Sequence, residues 1–241
     1  SNRGGGNWDI WVATRLTVSD PWGPAVNVGS PINTPQFEIG PSISSDGLEL
    51  FFSSGRPGGA GVDDLWVTRR ATIHEPWSNP VNLGAAVNSP SVENSPSISA
   101  DGLLLFFESN RPGGYGDYDI WVTRRATKND NWGPAVNLGP SISTPFDDAV
   151  PCISPDGRQF YFISTNRPGG LGGYDLWQAP ILPIVDFNGD GKVDGKEVLG
   201  MVSHWGTDDP LCDIGPFAWG DGTVGLEDLT VLAEQIGKEV S

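Results

Sequence analysis

The chain has 241 residues, of which 33 are glycine and 21 proline, with 10% aromatic residues and a formal net charge of −16. Large rings combined with so many turn formers suit numerous short strands rather than long helices, so the bulk of the chain reads as all-β. The charge argues against a nucleic-acid partner, because a polyanion would be repelled, and no apolar run approaches the roughly 20 residues needed to span a membrane.

The opening Ser1-Asn2-Arg3-Gly4 lacks the apolar core of a signal peptide. Thereafter one phrase recurs, Arg-Pro-Gly-Gly followed by Asp-Leu/Ile-Trp, three times complete and once shortened at the N-terminus, with a period of about 55 residues. Its Trp column is Trp11, Trp66, Trp121 and Trp177, and its Asp column is Asp9, Asp64, Asp119 and Asp175. Asp46-Gly47, Asp101-Gly102 and Asp156-Gly157 read as tight turns that open apolar strands such as Leu103-Leu104-Leu105-Phe106-Phe107. Trp22, Trp77 and Trp132 each precede a short segment ended by glycine, as in Ala135-Val136-Asn137-Leu138-Gly139.

One repeat thus carries four strands, expected in the second complete copy near 96–99, 103–108, 118–125 and 135–138. Such a meander cannot bury both of its faces alone, and radial stacking of four-stranded sheets makes a β-propeller. The N-terminus supplies the last two strands of a blade, two blades are complete and the final copy supplies three strands. That is a small or partial propeller of three to four blades over residues 1–182, expected to be a fragment of a longer protein.

The segments Ser109-Asn110-Arg111-Pro112-Gly113-Gly114-Tyr115-Gly116 and Tyr118-Asp119-Ile120-Trp121-Val122 resemble WD-like propeller repeats of the TolB type, and the resemblance spans roughly residues 1–180. That family includes translocation accessory proteins, peptidoglycan-associated proteins and many secreted chains, so the resemblance implies binding more than catalysis.

Alternate turns of a meander fall on one side, which gathers Arg56, Arg111 and Arg167 on the same face as the acids Glu38, Glu93 and Asp148. Repetition in every blade is what structural reinforcement predicts: each arginine would pair with a carboxylate or with loop carbonyls. The alternative is a recognition face for a glycan or a peptide, with tryptophans as stacking platforms. No catalytic constellation stands out, and His74 and His204 are isolated. Cys152 and Cys212 give neither a disulfide framework nor a metal spacing.

Beyond the linker Ala179-Pro180-Ile181-Leu182-Pro183 the composition changes: residues 183–241 hold 12 acidic and 3 basic side chains. Asp186-Phe187-Asn188-Gly189-Asp190-Gly191-Lys192-Val193-Asp194-Gly195-Lys196-Glu197 fits a twelve-residue EF-hand loop. Asp186, Asn188, Asp190, the Lys192 carbonyl, Asp194 and Glu197 fall at ligand positions 1, 3, 5, 7, 9 and 12, an oxygen set suited to Ca2+. Val193 is expected to pair with Val224, and a helix to run from Lys196 to Trp205. A second loop is built from Asp213, Asp221, Thr223 and Asp228, followed by a helical face of Leu226, Leu229, Leu232 and Ile236.

Two loop–helix units without an entering helix resemble type I dockerins, including the divergent forms of planctomycete-like secreted proteins, over about residues 184–238. The resemblance implies two Ca2+ sites and a cohesin-type partner, with Gly195-Lys196 and Leu226-Glu227 near the recognition positions. Weak calcium sites suit an extracellular location. The expected function is that of a secreted bacterial binding or scaffold protein; a carbohydrate-active enzyme or accessory module and a structural envelope protein are the alternatives.

Overall fold

The structure is a computed structural model that describes residues 7–181, 187, 192–207, 212–214 and 223–237. The repeats fold as antiparallel meanders in chain order. A hairpin of β1 (Trp11–Val12) and β2 (Val26–Asn27) comes first. The first four-stranded sheet comprises β3 (Glu38–Ile43), β4 (Glu49–Ser54), β5 (Asp64–Arg69) and β6 (Val81–Asn82). The second comprises β7 (Glu93–Ile98), β8 (Leu104–Ser109), β9 (Asp119–Arg124) and β10 (Val136–Asn137). A three-stranded sheet of β11 (Asp148–Ile153), β12 (Gln159–Thr165) and β13 (Tyr174–Pro180) follows.

Successive sheets meet through their first strands, β3 beside β7 and β7 beside β11, whereas β6 and β10 touch only their own sheets. The sheets therefore fan out as propeller blades. Between the two complete blades Phe51, Leu65, Val67, Ile98, Leu105, Phe107 and Trp132 form a continuous core, and Leu50, Phe52 and Trp66 pack on the other side against Ile10 and Ile32. Every residue of β4 and β8 is buried for this reason, while β12 alternates. Covered on both faces, a strand reads as a continuous apolar run; covered on one, it reads with period two.

The first strand of the second blade begins at Glu93, three residues earlier than the sequence pattern indicates, because Pro96 interrupts that pattern. Proline cannot donate to a ladder, and the strand passes it with a bulge between Asn94 and Ser97. The bulge residue has positive φ in every copy: Gly40 at 59°, Ser95 at 51° and Val150 at 51°. Past the bulge, Ile98 N–H donates to Ser42 Oγ (3.1 Å) and Ile153 N–H to Ser97 Oγ (3.2 Å), tying neighbouring inner strands together.

One buried ion pair between blades lies outside the repeat. Arg125, almost fully buried on the Trp132 ring, donates to the carboxylate of Glu49, which also receives Arg69 at 2.8 Å. Glu49→Ala leaves this guanidinium buried and unpaired and is expected to cost about 3–5 kcal/mol, read from urea unfolding.

The Gly-Gly-x-Gly part of the phrase has a steric cause. A Cβ on Gly114 would lie 1.7 Å from the Asp119 carboxylate, and one on Gly116 would lie 2.2 Å from the Phe146 carbonyl oxygen. Gly116→Ala should accordingly destabilise the protein by about 1–3 kcal/mol, seen as a lower Tm, because backbone on both sides must yield.

Two compact units are present, residues 1–153 with 161–177 and residues 154–160 with 178–241. The second contains α1 (Gly195–Ser203) and α2 (Leu226–Gln235) around a core of Val193, Met201, Cys212, Ile214, Val224 and Leu232. The first helix ends at Ser203, two residues before the expected Trp205. Of the expected face on α2, Leu232 and, in part, Leu229 meet the core, joined by Val231; Leu226 and Ile236 are exposed, since they sit at the helix start and beyond its end. Neither cysteine is joined in a disulfide; Cys152 is exposed and Cys212 buried. No helix among the described residues is long and apolar enough to cross a membrane.

Candidate functional site

The repeated arginines and acids come together pairwise. Arg56 meets Glu38 at 3.1 Å, Arg111 meets Glu93 at 3.0 Å and Arg167 meets Asp148 at 3.5 Å. Each guanidinium lies against two aromatic rings, those of Phe52 and Trp66, Phe107 and Trp121, or Phe162 and Trp177. Each also donates to carbonyls of the preceding connection, those of Pro31 and Ile32, Val87, or Ser141 and Ile142. Burial pushes the pKa of Arg56 and of Arg111 down, against the raising effect of the paired glutamate.

The carboxylates are fully engaged. Glu93 accepts from Ser89 N–H (2.9 Å), Ser89 Oγ (2.5 Å) and Ser109 Oγ (3.0 Å), and Glu38 repeats the pattern with Thr34 and Ser54. Asp64 and Asp119 accept the amides that follow Gly59 and Gly114. These residue types recur because they hold the loop, and little of them is left to meet a ligand. The repeated Trp66 and Trp121 are buried as well.

The open surface lies where the repeat is broken. A cleft of about 620 Å³ beside β3 is lined by Trp8, Trp11, Phe37, Asp9, Asp63 and Ser95, among others. Trp8, Asp63, Tyr118 and Tyr174 occupy one repeat column; Phe37, Val92 and Asp147 occupy another. The backbone there is conserved between blades: Glu38 N–H donates to the Trp8 carbonyl (2.7 Å), Glu93 to Asp63 (2.9 Å) and Asp148 to Tyr118 (2.8 Å). The scaffold is constant and its side chains vary. Sequence reasoning passed over Trp8, Phe37 and Asp63 because it followed the matches between copies; the signal was in the mismatches.

This face is electronegative. Burial and the neighbouring Asp64 charge push the Asp63 carboxyl up. Tyr118 is raised by burial and then by Glu108, Asp117, Asp63 and Asp147. Glu108 stands where the other blades have Ser53 and Ser164, and its carboxylate accepts Val150 N–H at 2.6 Å across the blade boundary. Burial raises its pKa more than the bonds from Val150 and Ser95 lower it.

In the helical unit, Asp186, Asn188, Asp190 and Asp221 lie outside the described residues. Among the others, Glu197, Asp213 and Asp228 are buried, and Lys192 and Thr223 are exposed. Glu197 accepts Asp194 N–H at 2.7 Å and Asp228 accepts Gly225 N–H at 2.6 Å, the same contact at the start of each helix. Asp194 Oδ1 accepts Lys196 N–H (2.8 Å), and Asp228 also accepts Ile214 N–H (2.6 Å). Among the described residues no three of these carboxylates gather into one metal-holding group; as oxygen donors their chemistry would suit a hard cation such as Ca2+ better than a thiophilic one.

No family model matches the chain, and no curated protein does. Among solved structures it is similar to a putative TolB from Agrobacterium tumefaciens (15% identity, 70% of this chain and 56% of that one, TM-score 0.45). It is similar also to TolB from Acinetobacter baumannii (15%, 72% and 35%, TM-score 0.43) and to an α-L-arabinofuranosidase from Lactobacillus brevis (13%, 66% and 56%, TM-score 0.46). The chain spans about half the length of these proteins or less, and at such identities the likeness is one of fold.

The raised Glu108 carboxyl makes stability depend on pH. Its contribution is fully present below the ordinary glutamate value of 4.5 and is lost as pH rises through the higher folded-state value. Glu108→Gln keeps an oxygen acceptor for Val150 and should flatten that part of the decline, measured by urea melts between about pH 4 and about pH 8.

Proposed function

We propose that the chain is a secreted bacterial binding or scaffold protein, in which the propeller serves as an interaction platform and the helical unit is a dockerin-like module that binds two Ca2+ ions and docks to a cohesin-type partner. The observation that carries this reading is the internal duplication of the helical unit. Val193 and Val224 are both buried, and Glu197 and Asp228 stand at the same place three residues into α1 and α2, each taking the amide of the residue before its helix. In an EF-hand-type loop that place is the twelfth position, whose carboxylate supplies two oxygens to the metal.

Asp186, Asn188, Asp190, the Lys192 carbonyl, Asp194 and Glu197 would hold the first ion, and Asp213, Asp221, Thr223 and Asp228 the second. Bound Ca2+ would supply charge neutralisation for these acids, so that the loops and helices are ordered together. The platform reading rests on the cleft and on the absence of a catalytic constellation from the sequence.

Calorimetric Ca2+ titration of the whole chain should show two sites. Glu197→Gln should weaken one and Asp228→Asn the other, each by at least about tenfold, because each removes the charged twelfth ligand. Retention of a cohesin domain that a chelator releases would extend the result to docking. A chain that takes up no Ca2+ would overturn the proposal for the helical unit.

A further inference from the structure

We infer that the cleft beside β3 binds an organic cation, the ammonium or guanidinium group of a basic peptide, with the Trp8 and Phe37 rings as its walls and the Asp63 carboxylate as its counter-ion. This rests on the platform reading and names the ligand class for it. The first support is the composition of the walls. Trp8 and Phe37 are 54% and 47% exposed, large aromatic surface that the core does not use. Ring faces attract cations electrostatically, most strongly for Trp.

The second is the state of Asp63. It lines the cleft, half-buried, and among the described residues no donor reaches its carboxylate, unlike Asp64 next to it, which takes three. Among the described residues no Lys, Arg or His lines the cleft. Asp63 is also the only member of its repeat column with a charge, the others being Trp8, Tyr118 and Tyr174. A structural role would not call for a carboxylate at that one blade.

The third is charge complementarity. Glu108, Asp117, Asp63 and Asp147 act together on Tyr118. A neutral sugar would stack on the rings but would leave the Asp63 charge in the cleft uncompensated. Residues 37–41 run along one side of the cleft, longer than one ammonium group and suited to a short peptide segment.

The test uses the full chain and a labelled alanine hexapeptide with one central lysine, beside the same peptide with norleucine, followed by fluorescence anisotropy. The lysine peptide should bind at least about tenfold more tightly than the norleucine one, and Asp63→Asn should remove that difference. Trp8→Ala should weaken binding several-fold, while Glu75→Gln, an equal loss of charge at the other end of the same blade, should not change it. Displacement of the peptide by n-butylammonium at millimolar concentration would show that the head group alone is read; its failure with the peptide still bound would assign the site to peptides. Equal losses with Asp63→Asn and Glu75→Gln would reduce the effect to net charge and overturn the inference. So would Trp8-dependent binding of a neutral glucose hexasaccharide without binding of the lysine peptide, which would leave the platform reading standing. Binding of neither probe would overturn both.

Discussion

The propeller depends on one buried carboxylate per blade, Glu38, Glu93 or Asp148, at the first residue of the inner strand. The Glu93 side chain accepts from the turn that precedes it, from strand β8 and from the arginine of the loop between β8 and β9, and its own N–H donates to Asp63 of the preceding blade. Three stretches of chain, around residues 63, 89–93 and 109–111, thus meet at a single acid. Burying a carboxylate is costly unless its lone pairs are satisfied, and here they are satisfied by groups that only the correctly assembled blade brings together.

Several features of the repeat follow from that constraint. The arginine reaches the acid from between two rings, which explains why Phe or Trp flanks it in each blade. The glycines after it let the loop fold back over Asp64, Asp119 or Asp175. Hydroxyl residues at 34, 89 and 144 present both an amide and an Oγ to the acid. Function has to be sought elsewhere, because a residue required by every blade is committed to holding it.

The non-repeating positions are where the blades differ in chemistry on a shared backbone. Trp8, Asp63 and Tyr118 each give the same carbonyl to the next blade, so their side chains are free to vary without loss of that bond. Glu108 is a similar departure, a buried acid where its counterparts are serines, held by the amide of Val150 in left-handed backbone. A β-branched residue in that conformation is strained, and its amide is satisfied by the Glu108 carboxylate.

Much of this was legible in the chain. The period, the four strands per repeat, the turns and the twelve-residue oxygen-ligand spacing are local properties, set by residue type and order over a few tens of residues. So was the grouping of Arg56, Arg111 and Arg167 with Glu38, Glu93 and Asp148, because alternation in a meander dictates which loops share a side. Where the inner strand begins was not legible, since Pro96 hides the bulge that carries the ladder past it. Nor was the pairing of Glu49 with Arg125, 76 residues away, nor the cleft among Trp8, Phe37 and Asp63. Those depend on which blade faces stack and at what register, and a repeating pattern specifies each blade without stating what its neighbour places opposite. The sequence determined the unit; the stacking of units decided which of its residues remain open to a ligand.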